Sequence, residues 1–313
     1  MKSDKTKIAI VLVSTDGHAR FLKECLQSLP RACDRVPYRV VLVDNDNYGE
    51  STKFVEAYGA GETIHLLHQS RSKGFAANVN DAARLVNEPF MLLLNVDTRL
   101  PSGSIERALQ RMQEQPEIGA LTVRMRGRGG SLQASARAYP SPLHLLWEQT
   151  GLSRLFPRSR LFGQTRLWYV LQDDLMDVDW ISGAFMLLRT NAFRQVGGMD
   201  EDFFLYSEDT DLCVRLRRSG WRVAIDPTVE IFHWKDPLGA ERRKQNFVLT
   251  HRSLLLLWRK HERWPTRLLG RMVLGLGLFG RFLTLPILLR KGRRYFYESL
   301  SAYLTVAHLL FQK

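Results

Sequence analysis

The chain is short of the features that would assign it quickly. It has three cysteines, Cys25, Cys33 and Cys213, and their spacing is neither a metal-binding nor a disulfide framework. An odd, sparse count suits a reducing compartment. No apolar leader follows Met1. The polar residues 1–7 run straight into an apolar stretch, so the expected location is cytoplasmic. No charge-free run reaches the roughly 20 residues that a membrane-spanning helix needs. Acidic residues are nearly missing from the tail: from Glu241 onward there are 15 Lys/Arg and 3 Asp/Glu, a net +12 of the total +13. The first 240 residues carry 30 basic and 29 acidic residues, a net +1. That balance excludes a general nucleic-acid-binding surface on the front of the chain.

What is present is an alternation of apolar strands and amphipathic helices in 313 residues, 45% hydrophobic and 25% charged. Ile8–Val13, Tyr38–Val43, Ile64–Leu67 and Phe90–Leu94 read as strands. Ala19–Leu29 (closing before Pro30), Ser51–Tyr58, Gly74–Val86 and Ser104–Gln115 read as helices. The expected fold is α/β, a mostly parallel sheet with helices on both faces. Ligands of such sheets bind at the carboxyl ends of the strands. Polar residues gather there: Ser14–Asp16, Asp44–Asn47 and Asn95–Asp97. Further on, Val178–Leu188 has a strand pattern broken at Ser182-Gly183, and Thr210–Ser219 reads as a helix. Short strands Val223–Ile225 and Val229–Phe232 lead to His233. Arg124–Gly130 reads as a mobile, solvated loop, with a lid over a phosphate ligand as the alternative. Ser141–Asp177 has no regular pattern and would cover a pocket.

The stretch 203–212, Phe-Phe-Leu-Tyr-Ser-Glu-Asp-Thr-Asp-Leu, is the most informative. An apolar run enters three carboxylates, Glu208, Asp209 and Asp211, and His233 follows 24 residues after Asp209. Buried charges cost several kcal/mol each unless paired or bound to a cation, so the pattern suits proton transfer or metal binding better than a core. Taken singly, each residue has a plainer reading. Asp97 is an N-cap, Glu208 and Asp209 favour a helix start, Asp44 is a turn residue and His233 is structural. Together, at strand ends of one sheet, they converge on one cleft.

The order of motifs resembles inverting glycosyltransferases of family 2, with the GT-A fold. The likeness is carried by Ser182-Gly183-Ala184-Phe185-Met186, by Val196-Gly197-Gly198-Met199-Asp200-Glu201-Asp202-Phe203-Phe204, by Glu208-Asp209-Thr210-Asp211-Leu212, and by Arg215 and Gly220-Trp221. It covers roughly residues 8–235, with bacterial rhamnosyltransferases of surface-polysaccharide synthesis as the nearest likeness. The resemblance implies that Asp209 is the general base, with Glu208 and Trp180 on the acceptor side. It implies donor contacts from Thr15, Asp44, Lys73, Gly74, Asn80, Asn95 and Asp97, and a Mn²⁺ or Mg²⁺ ion on Asp97 and His233. Asn95 leaves one carboxylate where two are common, and Gly17 and Gly49 replace polar residues frequent in the family.

Two regions are expected: 1–240, a nucleotide-sugar-binding catalytic domain, and 241–313, a basic, amphipathic helical tail. In the tail, Asn246–Trp258, Met272–Gly280, Phe282–Leu289 and Tyr295–Phe311 carry apolar faces beside Arg290, Lys291, Arg293 and Arg294. This pattern suits helices lying on an anionic membrane, at its inner face. The implied partners are a nucleotide-diphosphate sugar, a lipid-linked saccharide acceptor and that membrane surface, with no nucleic acid. The contrasting expectation is a non-catalytic nucleotide-sugar-binding protein with a membrane-binding tail.

Overall fold

The computed structural model describes residues 8–15, 17–45, 49–58, 64–69, 71, 73–163, 174–234 and 243–312. Asp16, Asp46, Asn47 and the 240/241 boundary lie outside them. The chain divides into two compact units, one drawn from residues 1–138, 170–204 and 208–236, the other from 139–169, 205–207 and 237–313.

In the first unit the strands are β1 (Ile8–Ser14), β2 (Tyr38–Asp44), β3 (Ile64–His68), β4 (Phe90–Asn95), β5 (Thr98–Arg99), β6 (Ile118–Arg126), β7 (Leu132–Gln133), β8 (Ala136–Arg137), β9 (Met176–Asp177), β10 (Trp180–Ile181), β11 (Phe185–Arg189) and β12 (Arg222–His233). The helices are α1 (Ala19–Cys33), α2 (Glu50–Tyr58), α3 (Phe75–Ala83) and α4 (Ser104–Glu114). The second unit supplies α5 (Pro142–Gln149) and α6 (Leu152–Leu155); α7 (Thr190–Gln195) and α8 (Glu208–Arg218) return to the first.

Ten strands form one mixed sheet with the order β3-β2-β1-β4-β11-β6-β12-β5, β7 and β9 pairing at its margin. β3, β2, β1 and β4 are mutually parallel, and β6 and β12 are parallel. β11 runs against both β4 and β6. The unbroken apolar runs of β1 and β4 are buried nearly throughout, as strands covered on both faces must be. The core joins Ile8, Ile10 and Leu12 to Leu22, Leu26 and Leu29 of α1 and to Leu92, Phe185 and Leu187.

Reversal of β11 decides where the site lies. Two antiparallel steps restore direction, so β6 and β12 run the same way as β4. The end of β12 therefore reaches the same sheet edge as the end of β4, and the start of β11 opens at that edge too. β5 closes the arrangement, with Thr98 paired to His233 across an antiparallel step.

Three expectations change. Helix α1 runs past Pro30 to Cys33, because Ala32 and Cys33 are buried against the sheet and a proline near a helix end costs little of the ladder. Arg124–Gly130 is not a mobile loop. Arg124–Arg126 complete β6, and a 3-10 turn at Arg128–Gly130 leads into β7, whose Leu132 and Gln133 pair back on Arg126 and Met125. The hairpin is pinned by Arg126, whose Nε donates to Glu230 at 2.6 Å. Val223–Ile225 and Val229–Phe232 belong to one strand, β12, irregular between Asp226 and Glu230.

The second unit is helical, with α9 (Arg243–His261), α10 (Trp264–Thr284) and α11 (Arg293–Phe311) packed with α5. Met272–Gly280 and Phe282–Leu289 are not separate runs. Helix α10 passes through Gly275, Gly277 and Arg281 and continues as a 3-10 segment, Leu285–Lys291. Trp264–Ile287 is long and apolar enough to cross a membrane, and 28% of its apolar window is buried. The Arg281 guanidinium lies 5.3 Å from the Phe247 ring, so the charge is housed without breaking the helix. Gly270 presses on Trp258, where a Cβ would come within 2.4 Å of the indole.

Candidate active site

The turn Val96-Asp97 between β4 and β5 brings the first carboxylate to the sheet edge. Asp97 is 6% exposed, and its carbonyl accepts from the Trp234 N–H at 2.8 Å. With Thr98 paired to His233, this leaves the Asp97 carboxylate 3.2 Å from His233 Nε2. Asn95 Nδ2 approaches the same nitrogen at 3.4 Å. Gln133 fixes the imidazole. Its Nε2 donates to the His233 carbonyl at 2.8 Å, which leaves Oε1 facing Nδ1, also at 2.8 Å. Nδ1 must then carry the proton. In a neutral ring Nε2 then faces the Asn95 amide and the Asp97 carboxylate, and imidazole nitrogen with carboxylate oxygen is a donor set that a divalent cation can take.

The pair fits a divalent ion. Two ligand atoms each about 2.1 Å from one ion, at right angles, stand about 3 Å apart. Among the described residues no group of three or more His, Cys, Asp and Glu side chains forms a complete cage. An ion held by only two protein side chains would need further oxygen donors to complete its shell.

Asp209 lies in the first turn of α8, on the other side of the turn Ser182–Ala184. The Gly183 N–H donates to Asp209 Oδ2 at 3.3 Å, and the Ala184 carbonyl accepts from Asn95 N–H at 3.0 Å. One tripeptide therefore links the Asp97–His233 region to Asp209. Just before α8, Tyr206 and Ser207 adopt φ of 70° and 63°, a costly pair for residues with a Cβ and of the kind that gathers at functional sites.

Asp209 is half-buried, open to solvent at an edge yet densely surrounded. Burial raises its carboxyl above the usual range, opposed by the Thr210 and Gly183 N–H groups and by the charge of Arg137. Glu208 is buried, and its Oε2 has no hydrogen-bond partner. Burial first, then the neighbouring Asp209 charge, pushes its carboxyl up to about 8. Both carboxyls of the pair are thus held above their usual range. Trp180 stands beside it: its indole N–H donates to the Ala138 carbonyl at 2.9 Å, and the Arg137 guanidinium lies 5.5 Å from its ring. β8 pairs with β10 through Arg137 and Trp180.

The remaining residues line the ends of β1, β2 and α3. Thr15 Oγ1 is 3.2 Å from His18 Nδ1. Asp44 is fully buried and accepts from the Thr52 N–H and hydroxyl, anchoring the start of α2. Lys73 pairs with Asp81 at 2.6 Å. Its backbone is held by Asn45, which accepts from Lys73 N–H at 2.9 Å and donates to its carbonyl at 3.1 Å. Gly74 admits the Phe204 backbone, where a Cβ would meet the carbonyl oxygen at 2.7 Å. The Asn80 amide is spent on the Gly198-Met199 turn, accepting from Met199 N–H at 2.9 Å and donating to its carbonyl at 2.8 Å. Asn95, Asp97, His233 and Asp209 are brought together, while Asp44, Lys73 and Asn80 are committed to holding loops. Gln133 and Arg137 escape the sequence reading; each lies in a two-residue strand with no periodicity to mark it.

A mixed sheet with an acidic strand end, a reversed β11 and a carboxylate-led helix at one edge defines a glycosyltransferase of the GT-A type. The chain belongs to the glycosyltransferase-like family 2, which it matches over residues 7–264. It is 28% identical over 290 residues to the N-acetylglucosaminyl-diphospho-decaprenol L-rhamnosyltransferase of Mycobacterium tuberculosis, covering 84% of this chain and 90% of the relative. The rhamnosyltransferase WbbL of Escherichia coli is 24% identical over 234 residues, 72% of this chain and 82% of WbbL. The structure resembles a mannosyltransferase from Pyrobaculum calidifontis solved with GDP-Man and Mn²⁺, with a TM-score of 0.58 and 14% identity over 96% of this chain and 86% of that one.

Proposed function

We propose that this glycosyltransferase moves a sugar, L-rhamnose in the reading favoured by its relatives, from a nucleotide-diphosphate donor to a lipid-linked saccharide. The reaction would be a single inverting displacement at the inner face of the membrane, in the synthesis of surface polysaccharide. The observation that carries the reading is the Ser182–Ala184 turn, which ties a proton-accepting carboxylate to the paired Asp97 and His233.

In this mechanism Asp97 and His233 would hold a divalent cation, Mn²⁺ or Mg²⁺, on the donor side of the site. Lewis-acid neutralisation of the departing charge is the chemistry such an ion supplies. Asn95 lies against the same nitrogen and restrains the ring. Thr15, Asp44 and the Lys73-Gly74 segment shape the nucleotide side. Asp209 accepts the proton of the acceptor hydroxyl as the new C–O bond forms at the anomeric carbon and the bond to the diphosphate breaks. Burial raises the carboxyls of Glu208 and Asp209 together, and Trp180 offers the acceptor sugar an apolar face. The expected catalytic region 1–240 and tail 241–313 would divide the labour between chemistry and membrane docking. A non-catalytic nucleotide-sugar binder has no need of this base beside this pair.

The test is nucleotide release from dTDP-rhamnose, UDP-glucose, UDP-N-acetylglucosamine and GDP-mannose, with and without divalent cation and a lipid-linked acceptor. Cation-dependent turnover of dTDP-rhamnose is expected, rising with acceptor. Binding of none of the donors would overturn the reading.

A further inference from the structure

The second unit has a cavity of about 320 Å³ between α9 and α10, apart from the site above. Three arginines, Arg259, Arg267 and Arg271, line it together with Trp258, Trp264 and leucines, and no carboxylate does. Arg271 donates one N–H to the Gln312 carbonyl at 2.7 Å. Among the described residues, neither Arg259 nor Arg267 has a side-chain hydrogen bond or ion pair. Three like charges around one hollow repel each other unless an anion sits among them. Guanidinium groups are suited to phosphate oxygens in particular.

The wall is apolar and built. Trp258 is 1% exposed, and its indole N–H is spent on the Pro140 carbonyl at 2.8 Å. Trp264, at the mouth, is 66% exposed. From the cavity an exposed stripe runs along α10 and its 3-10 extension: Leu268, Met272, Leu276, Phe279, Leu283 and Ile287. Their spacing of three and four places them on one face. A soluble anion would satisfy the arginines and leave the stripe unexplained. An amphiphile satisfies both.

We propose that this cavity binds the phosphate headgroup of an anionic membrane lipid whose acyl chain lies along the α10 stripe. The proposal deepens the membrane placement given above and rests on it. It makes docking a matter of one built pocket as well as of diffuse tail charge.

The experiment is co-sedimentation of the full chain with vesicles of phosphatidylcholine, alone or mixed with phosphatidylglycerol, at fixed ionic strength. R259Q/R267Q/R271Q is compared with R290Q/R293Q/R294Q, which removes the same charge from exposed positions elsewhere in the tail. The cavity variant is expected to weaken binding to phosphatidylglycerol vesicles by at least about tenfold more than the control variant does, where each basic residue near an anionic surface otherwise contributes similarly. L276Q, at an exposed position that folding does not require, should weaken binding to the same vesicles. Equal losses in the two triple variants would overturn the proposal, as would an unchanged cavity variant. Inorganic phosphate that binds the wild type and not the cavity variant, with vesicle binding unaltered, would assign the cavity to a soluble anion instead. Donor turnover is read in parallel, so failure of the catalytic reading shows there and leaves the vesicle result independent.

Discussion

Gln133 holds His233 at both ends of its amide, donating to the backbone carbonyl and accepting from the ring, each at 2.8 Å. The ring is thereby aimed, with Nε2 toward Asp97. Groups that orient a ligand in this way typically set metal affinity within 10–100-fold. Gln133→Ala is expected to weaken divalent-cation activation of donor turnover by that order, read as the midpoint of a Mn²⁺ titration. An unmoved midpoint would remove Gln133 from the site.

Asp209→Asn keeps the shape and removes the proposed proton acceptor. Transfer should fall by about 10²–10⁴-fold, while donor affinity, measured by calorimetry, stays within a factor of a few. Loss of donor binding in this variant would argue that Asp209 does something other than take a proton.

Arg137 opposes the rise that burial imposes on Asp209. Replacing it with Gln leaves the carboxylate easier to protonate. Since the base works ionised, the acid limb of kcat/KM should move to higher pH, and Arg137→Lys should move it less. A pH profile displaced only in height would assign Arg137 to substrate contact instead.

Glu208 gives a stability signature. Its carboxyl titrates near 8 in the fold, against an ordinary value of 4.5. Between those limits the unfolded chain has lost the proton and the folded chain retains it, so ν_U is below ν_N. Stability therefore falls as pH rises from about 5 to 8, with a slope of up to about 1.4 kcal/mol per pH unit from this group. Glu208→Gln should flatten that slope in denaturant titrations run across the window.

Arg215 and Asp211 form an i,i+4 pair on α8 at 2.6 Å, and the same guanidinium donates to the Val196 and Gly198 carbonyls. Asp211 is 1% exposed. Arg215→Met strands that carboxylate and should cost about 3–5 kcal/mol in chemical unfolding. A cost below about 1 kcal/mol would mean that water reaches the pair.

The sequence made the strand-end residues readable because apolar runs and their polar terminators are local. Asn95, Asp97, Glu208, Asp209 and His233 all stand where a run stops, and the parallel strands β1, β2 and β4 follow from uninterrupted burial. Strand direction is not local. The apolar pattern of β11 reads the same either way, so the reversal that carries Ser182–Ala184 to the site edge was hidden. Gln133 lies in a two-residue strand, too short for any periodicity. Arg281 divides helix α10 in the sequence pattern because a charge in an apolar run looks like an end. In the fold that charge rests against Phe247, and Gly277 meets the Gln149 side chain of α5. Asp44 and Asn80 show the converse: their positions were plain, while the partners that occupy them, Thr52 and Met199, depend on packing.

The Ser182–Ala184 turn has a mechanical consequence. Its middle N–H meets the proposed base and its last carbonyl meets the strand that leads to the cation pair. On the proposed reading, the span between the base and the cation pair is set by three residues and two hydrogen bonds, as a gauge block sets a gap.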